Sequence, residues 1–141
     1  INIMIPEIDI IFDDFGDVVV NNGNLETTSD IFRITKQNAI DRIRSSYGDY
    51  RLYQTYGANL SAKIGKPIGA TMELEIEQSI IRSLTFDGFL QRQDVKCVAI
   101  NIGPYEILTK TEIKINKQGY LLTSLTINST FNTINGVINV Y

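Results

Sequence analysis

Residues 37–57 have the sequence QNAIDRIRSSYGDYRLYQTYG, and the order of local signals in this stretch decides the fold. Its first part has residues at helical spacing, namely Gln37, Ile40, Arg42 and Ile43. Gly48 is the predicted end of this helix. Tyr56 and Gly57 predict a turn, and Leu60 follows in a second, short helix. The stretch is therefore an ordered structural segment without a catalytic constellation.

The composition limits the size and the partners of the protein. A chain of 141 residues can bury a hydrophobic core and is expected to form one domain, residues 1–141. Its formal net charge of -3, without a run of Lys and Arg, argues against a nucleic-acid partner. Its apolar runs are shorter than the roughly 20 residues that span a bilayer, so no membrane partner is expected. Cys97 is the single cysteine, which fits a reducing compartment such as a bacterial cytoplasm.

The N-terminal part of the chain alternates apolar and polar residues, a pattern typical of extended chain. In residues 1–12 apolar residues recur at period two before and after Pro6, at Ile1, Ile3, Ile5, Ile8, Ile10 and Phe12. Pro6 lacks the N–H needed for a sheet ladder, so we expect an edge strand or an arm that leaves the domain. A short strand over residues 17–20 and a turn over residues 21–24 are expected next. Because Ile1 is not an initiating Met, the sequence leaves the true N-terminus open.

Two longer helices are predicted from their caps and apolar spacing. The first begins at Ser29 or Asp30, whose side-chain oxygens can cap free N–H groups, and runs to about Tyr47. The second follows Thr71 and ends at Gly88, with apolar residues four positions apart. Three acidic residues lie in its first turns, where they are expected to stabilise the positive end of the helix dipole: Glu73, Glu75 and Glu77.

The apolar spacing changes to period two in the last third of the chain, which indicates strands. The predicted strands are residues 95–102, 107–115, 120–128 and 137–141. Short connections favour antiparallel pairing, and Asn135-Gly136 is the strongest hairpin signal. We therefore expect an α+β fold, with two to three helices on a mainly antiparallel sheet, an N-terminal arm and a C-terminal hairpin. Its parts are an extended arm (1–12), a helical part with short N-terminal strands (17–90) and antiparallel strands (91–141).

The last part of the chain lacks the charges that normally protect sheet edges. Residues 119–141 contain no Lys, Arg, Asp or Glu, so an exposed edge here would invite another chain to add a strand. Two interpretations stay open: a partner binds this ribbon, or the helices cover it as an inner strand pair. Both interpretations hold together if the helices cover the ribbon and one of its strand edges stays open. With the N-terminal arm, the expected partner-binding residues are Ile3, Ile5, Ile8, Ile10, Ile134, Val137, Ile138, Val140 and Tyr141.

Catalytic, metal-binding and cofactor-binding residues are not predicted. The chain has no His, which removes Ser-His-Asp and Cys-His catalysis, and with one Cys it lacks an ordinary zinc ligand set. Asp14-Phe15-Gly16 copies the magnesium-binding triplet of protein kinases, but the other kinase motifs are missing, and a turn is expected there. A glycosidase would need two carboxyl groups about 5 to 9.5 Å apart, a geometry that sequence does not show.

The sequence over residues 17–95 resembles the gp25-like family of phage baseplate wedge proteins and contractile-tail sheath initiators. The resemblance implies structural roles for the residues that carry it, which are Gln37, Ile40, Arg42, Gly48, Tyr56, Gly57 and Leu60. It further implies a virion protein of the tail baseplate, assembled in the bacterial host cytoplasm and present in six copies around the tail axis. Such a protein presents the surface on which the first ring of sheath subunits polymerises, by strand addition to its sheet.

The same resemblance implies the partners of the protein. Tail sheath subunits and baseplate wedge proteins are the implied partners, with the tail tube as a further candidate, and no cofactor is implied. Residues 89–93 read FLQRQ where the type VI secretion branch has a Glu-Pro-Arg triplet, which favours a phage tail or a phage-like particle. Two alternatives stay open. One is a lysozyme-like cell-wall glycosidase, as some family members have been labelled, and the other is a cytoplasmic homo-oligomer unrelated to phage.

Overall fold

The computed structural model describes residues 9–11, 18–25, 27–28, 30–66, 68–69, 71–117 and 120–141. In chain order its strands and longer helices are β1 (Asp9–Ile10), β2 (Val20–Asn21), β3 (Asn24–Leu25), β4 (Thr27–Thr28), α1 (Ile31–Arg44), α2 (Met72–Thr85), β5 (Val95–Asn101), β6 (Glu106–Lys117), β7 (Tyr120–Asn132) and β8 (Ile138–Val140). Short 3-10 helices occupy Leu60–Lys63, Phe86–Gly88 and Arg92–Asp94. The predicted α+β fold, with helices on a mainly antiparallel sheet, is confirmed.

The main sheet has four antiparallel strands in the order β5-β6-β7-β8. Successive residues of a strand point to opposite faces, and the odd-numbered positions form the buried face: Val95, Cys97, Ala99, Ile107, Ile113, Ile115, Leu125, Ile127 and Phe131. α2 packs against β5, and α1 packs against β7 and β8. Side chains of the opposite face, such as Val98 and Ile100, are exposed. The sheet therefore has one packed face and one solvent face, with β5 and β8 as its outer strands.

The helices close the core with apolar residues on one side. Ile76, Ile80 and Leu84, spaced by four along α2, have no exposed surface, and Ala39 and Ile43 of α1 are equally buried. Burying an Ile or Leu side chain fully contributes about 1.5 to 3 kcal/mol. Isolated helices of this length would be marginal in water, so the shared core stabilises them.

The first helix is shorter than the sequence predicts. Asp30 caps it, because its Oδ1 accepts a 3.0 Å hydrogen bond from an N–H of the first turn. The helix ends at Arg44, rather than near Tyr47, because Ser45 is extended, with a φ of -75° and a ψ of 147°. Gly48 therefore lies in the following loop instead of ending the helix.

The second helix and the strands differ from the prediction mainly at their ends. α2 ends at Thr85, and a 3-10 turn follows it. β6 and β7 extend further than predicted because they pair along nearly their whole lengths, with one register shift between Ile115 and Asn116. β8 is shorter than predicted, with three residues. The hairpin signal Asn135-Gly136 lies between β7 and β8, as expected.

Part of the predicted N-terminal arm belongs to the folded domain. β1 pairs with β4, with Ile10 opposite Thr27, and Ile11 is 4% exposed. Residues 9–11 therefore belong to the domain, because β1 pairs within it and the side chain of Ile11 is buried. Of the predicted strand over residues 17–20, Val20 is in β2. Other predictions lie outside the described residues, namely those for residues 1–8 and 12–17 with Asp14-Phe15-Gly16, the cap at Ser29 and the turn at residues 118–119.

The loop that follows α1 folds back onto the C-terminal end of this helix. The Ala58 N–H donates to the Arg42 carbonyl at 2.9 Å, and the Asn59 N–H donates to the Ser45 carbonyl at 3.1 Å. Carbonyls at a helix end lack partners within the helix, so the loop satisfies them. Gly57 has a φ of +102°, and a Cβ at this position would overlap the Ser45 carbonyl group. The close approach of the loop therefore requires glycine here.

Gly57→Ala is expected to lower the free energy of unfolding by about 3 kcal/mol or more, because backbone strain adds to a clash with another backbone segment. Gly23→Ala is the matched control. Gly23 has a φ of +79° with open space around it, so only strain is expected, about 1 to 2 kcal/mol. Urea unfolding measures both losses. Equal losses would contradict the clash.

Candidate assembly surface

The C-terminal ribbon forms an outer strand of the sheet. β8 pairs with three residues of β7, from Ser129 to Phe131. The backbones of Asn128 and Tyr141 add two hydrogen bonds of 2.7 and 2.8 Å. β8 therefore covers one end of β7, since β7 has 13 residues.

The predicted partner-binding residues fall into separate groups. Outside the described residues lie Ile3, Ile5 and Ile8. Exposed in the ribbon are Ile134, Val137 and Tyr141. Ile138 and Val140, by contrast, pack against the hydrophobic core on the helix side of the sheet. Both side chains are only partly buried in this contact, so their role as partner-binding residues stays a prediction.

Ile10 also belongs to the domain rather than to a free arm. Its carbonyl accepts a 2.7 Å hydrogen bond from Gln37 Nε2, and its side chain is half-buried. Gln37 is one of the residues that carry the family resemblance. The hydrogen bond from the Gln37 side chain therefore connects α1 to β1.

One side of β7 pairs with β8 at a single end of the strand. Because Asn128 exchanges hydrogen bonds with Tyr141, the alternation of a strand directs the N–H and C=O groups of Ser124 and Thr126 to the same side. Within the described ranges, no strand pairs with this side of β7 before Asn128. The side chains of Ser124 and Thr126 are exposed as well. These backbone groups are open to another strand.

The opposite edge of the sheet, β5, is closed by side chains of α2. The Ala99 N–H donates to Glu77 Oε1 and the Asn101 N–H donates to Glu73 Oε1, each at 2.9 Å. A carboxylate bound to an outward N–H occupies the donor that an added strand would use. The sequence analysis assigned both glutamates only to the helix dipole. Their i, i+4 spacing, which places them on one flank of the helix, was the available signal.

Glu75, the third acidic residue of this helix, makes a different contact. It forms a 2.6 Å ion pair with Lys63. The hydrogen bond from Lys63 lowers the pKa of the Glu75 carboxyl group. The pair links α2 to the 3-10 helix Leu60–Lys63, and its contribution to stability is small because Glu75 is exposed.

Arg42 joins the two helices at their C-terminal ends. Its Nη1 lies 3.0 Å from the carbonyl oxygens of Ser83 and Phe86. Its guanidinium also lies over the rings of Phe89 and Tyr56, 4.3 and 5.1 Å from their centroids. A cation at a helix C-terminus satisfies carbonyls and interacts favourably with the helix dipole. Burial lowers the pKa of Arg42, yet an Arg side chain keeps its charge in proteins.

Asp41 accepts hydrogen bonds from two tyrosines. The Tyr50 hydroxyl lies 3.0 and 2.9 Å from its two carboxylate oxygens, and the Tyr56 hydroxyl lies 2.9 Å from Oδ2. The two tyrosine rings meet edge to face with centroids 4.8 Å apart. Burial, followed by the contact with Asp41, raises the pKa of both phenols. The network fixes the loop after α1 to the helix itself.

The remaining residues of the family resemblance also have structural positions. Leu60 is buried, and Ile40 packs against the core. Gly48 has a φ of +87°, and its N–H donates to the Gln54 carbonyl at 3.0 Å. These residues contribute to packing and to the loop turn.

The same loop carries exposed residues that the sequence analysis did not assign. Leu52 is 87% exposed and Tyr53 is 56% exposed. Tyr47 lies beside Arg82, whose guanidinium is 5.0 Å from the ring centroid, and the Tyr47 N–H donates to Asn59 Oδ1 at 3.0 Å. Tyr and Arg are frequent at the centres of protein interfaces. No sequence periodicity marks them, because they lie in a loop.

A cleft of about 480 Å³ lies where α2 meets the beginning of β5. Its lining includes three carboxyl groups, those of Glu77, Asp94 and Glu112. Glu77 is bound to β5, and Glu112 Oε1 lies 3.4 Å from Lys110 Nζ. The carboxylates of Glu77 and Glu112 therefore already have partners within the domain. Cys97 also lines the cleft, and burial raises the pKa of its thiol.

Within the ranges given above, no group of three or more His, Cys, Asp or Glu is placed to hold a metal ion. None of the described helices is long and apolar enough to cross a membrane. The chain matches no protein-family model, no curated protein and no solved structure.

Arg42→Met is expected to lower the free energy of unfolding by about 2 to 3 kcal/mol, because two helix carbonyls lose a charged donor. Arg44→Met, at an exposed position of the same helix, is the control and should change it by less than about 0.5 kcal/mol. Arg42→Lys should recover only part of the loss, because an ammonium group lacks the planar fork. Thermal and urea unfolding measure these effects. Equal losses at positions 42 and 44 would contradict this role.

Tyr50 and Tyr56 are expected to ionise above the ordinary tyrosine pKa of about 10. A group whose pKa is raised by folding contributes stability that is complete below the unfolded-state pKa and is lost as the pH rises through the folded-state pKa. The protein should therefore lose stability above about pH 10, as the hydrogen bonds to Asp41 break. Tyrosinate absorbance and unfolding, each followed against pH, measure this.

Asp41→Asn is the variant that tests the cause of the late ionisation. It should move the two phenol pKa values toward the ordinary value, because the neighbouring negative charge is removed. Asp94→Asn removes a carboxylate elsewhere and should leave the titration unchanged. A titration that is the same in Asp41→Asn as in the unmodified protein would show that Asp41 is not responsible.

Proposed function

We propose that this domain is a structural baseplate protein of a contractile phage tail, or of a phage-like injection particle, and that it templates the first sheath ring by strand addition. One observation carries the proposal. One edge of the sheet is closed by glutamate side chains, and in the part of the chain that the structure describes no strand pairs with the other side of β7 before Asn128, in a ribbon without charged residues. Edges with free N–H and C=O groups recognise extended segments.

The rest of the domain suits a rigid template. Arg42 connects the ends of α1 and α2, Asp41 holds two tyrosines, and Gly57 lets the loop close on the helix. A template must hold its edge in a fixed orientation, because a one-residue slip of register turns every side chain to the other face. The sequence resemblance to the gp25-like family supports the same function. In this domain the residues that carry the resemblance contribute to packing, to turns and to helix capping.

The proposed partners are tail sheath subunits at the sheet edge and baseplate wedge proteins elsewhere on the surface. Six copies would surround the tail axis, and the tail tube is a further candidate partner. The protein would be assembled in the bacterial cytoplasm and would remain in the virion. Its output would be the position and register of the first sheath ring rather than a chemical reaction.

Two alternatives make different use of the same features. A lysozyme-like glycosidase would place two carboxyl groups of the cleft around a sugar chain, but Glu77 and Glu112 are held by β5 and Lys110. A homo-oligomer unrelated to phage would use the free edge of β7 for a second copy of the chain. The observations favour neither alternative over the template.

The proposal predicts that the purified protein seeds sheath assembly. Mixed with sheath and baseplate proteins of the same particle, it should produce sheath rings or short tubes, seen by negative-stain electron microscopy. Sheath with baseplate proteins but without this chain is the control and should give none. The proposal is wrong if the mixture stays unassembled while the chain alone forms rings or clears a peptidoglycan suspension.

A further inference from the structure

We infer that Asn22 is a modification site, at which the side-chain amide is lost through a cyclic imide formed with the backbone nitrogen of Gly23. The chain contains the dipeptide Asn-Gly twice, at residues 22–23 and 135–136. Both pairs lie between paired strands, at turns that this dipeptide favours. The two copies have different surroundings, and this difference assigns the reaction to Asn22. Because the reaction involves only this chain and water, it does not depend on the proposed function.

The reaction converts a side-chain amide into a carboxyl group without a metal, a cofactor or an oxidant. The Gly23 nitrogen, once its proton has been lost to solvent, attacks the side-chain carbonyl carbon of Asn22 and forms a carbon–nitrogen bond. The bond from this carbon to the side-chain nitrogen breaks, and ammonia leaves with a proton from solvent. Water then opens the imide at either of its carbonyls, which gives aspartate or isoaspartate. Glycine favours the attack because it has no Cβ to hinder it.

The first Asn-Gly pair is exposed, and its nucleophile is unbound. Asn22 and Gly23 connect β2 to β3 and have φ angles of 51° and 79°. Both residues are exposed, and a Cβ on Gly23 would meet no atom within 4 Å. In the part of the chain that the structure describes, the Gly23 N–H has no hydrogen-bond partner. The nitrogen that starts the reaction is therefore accessible to solvent.

The hairpin that carries this pair is held by few backbone contacts. β2 and β3 pair through two residues each, Val20 with Leu25 and Asn21 with Asn24, and form a separate two-stranded sheet. A two-stranded hairpin is at best marginally stable by itself, and segments with little buried contact open locally at low cost. Such opening lets the Asn22 side chain and the next nitrogen reach the geometry of attack.

The second Asn-Gly pair has a bound nucleophile and a bound side chain. The Gly136 N–H donates to the Asn132 carbonyl at 2.9 Å. Asn135 Oδ1 accepts a 3.0 Å hydrogen bond from the Val137 N–H, and the Asn135 N–H donates to Asn132 Oδ1 at 3.1 Å. The Ile64 side chain also lies against Gly136, since a Cβ there would overlap it. Attack at Asn135 would break these contacts, so this copy is protected.

The products at Asn22 differ from asparagine in charge and, for isoaspartate, in the path of the backbone. Either product adds a negative charge to a chain whose formal net charge is -3. Isoaspartate also inserts a side-chain carbon into the main chain, so the turn no longer matches the pairing of β2 with β3. The hairpin should therefore loosen as Asn22 converts.

Peptide mass spectrometry measures the conversion at each site. The folded protein is kept in mildly alkaline buffer and sampled over time, and the exchange of an amide for a carboxyl group is followed in the peptides that contain Asn22 and Asn135. Asn22 should convert at least about tenfold faster, which corresponds to a difference of about 1.4 kcal/mol in the free energy of opening. In urea, where both turns are unfolded, the two sites should convert at similar rates.

Two variants test the cause of the difference. Gly23→Ala strains the turn and so favours its opening, yet it should slow conversion of Asn22, because a Cβ hinders the attack. Asn132→Ala removes the oxygen that binds the N–H groups of Ile134 and Asn135. It should speed conversion of Asn135 about threefold or more, as expected from the loss of a net hydrogen bond, and leave Asn22 unchanged.

Three results would overturn the inference. One is conversion of Asn135 in the folded protein as fast as that of Asn22, and another is an Asn22 that converts in urea but stays intact in the folded protein. The third is a Gly23→Ala variant that converts as fast as the unmodified protein, which would exclude attack by this nitrogen. An Asn135 rate that Asn132→Ala does not change would overturn the explanation of its protection. Sheath assembly enters none of these measurements, so the proposed function is tested separately.

Discussion

Arg42 is the residue on which the arrangement of the helical layer depends. Its side chain binds the carbonyl of Ser83 in the last turn of α2 and that of Phe86 just after this helix, while its own carbonyl accepts the N–H of Ala58 from the returning loop. One residue thus connects three segments that are distant in sequence. α1 packs against β7 and β8, and α2 packs against β5. The contact through Arg42 therefore also connects the parts of the core that lie beneath the two helices. The aromatic rings of Tyr56 and Phe89 lie over the same guanidinium group.

The layer beneath the helices is asymmetric in a way that matters for assembly. Its inner face is apolar and its outer face is solvated, which is ordinary for an antiparallel sheet. The two edges differ, since the β5 edge is bound by side chains of α2, whereas among the described residues β8 pairs with only one end of β7. Soluble proteins usually protect both edges of a sheet.

The sequence predicts the parts of the fold that depend on periodicity. The four-residue spacing of Ile76, Ile80 and Leu84 indicates α2, and the alternation after residue 91 indicates the sheet. The end of α1 is missed because it depends on contacts with a loop that returns at Ala58, which no local pattern shows. The sequence leaves open whether helices or a partner cover Ile138 and Val140, because an apolar strand looks the same in both cases. The role of Glu73 and Glu77 depends on which strand lies beside α2, and that is a property of the tertiary structure.

The closure of β5 depends on a match between two different repeats. Four residues of an α-helix advance about 6 Å, and two residues of a strand advance about 6.8 Å. Glu73 and Glu77 can therefore meet Asn101 and Ala99 in turn, with the helix running antiparallel to the strand. The mismatch of nearly 1 Å per step accumulates, so a third glutamate one turn further along would fall out of phase with the next N–H. Side chains of a straight helix can thus cover only a short length of a sheet edge, here the two N–H groups of Ala99 and Asn101.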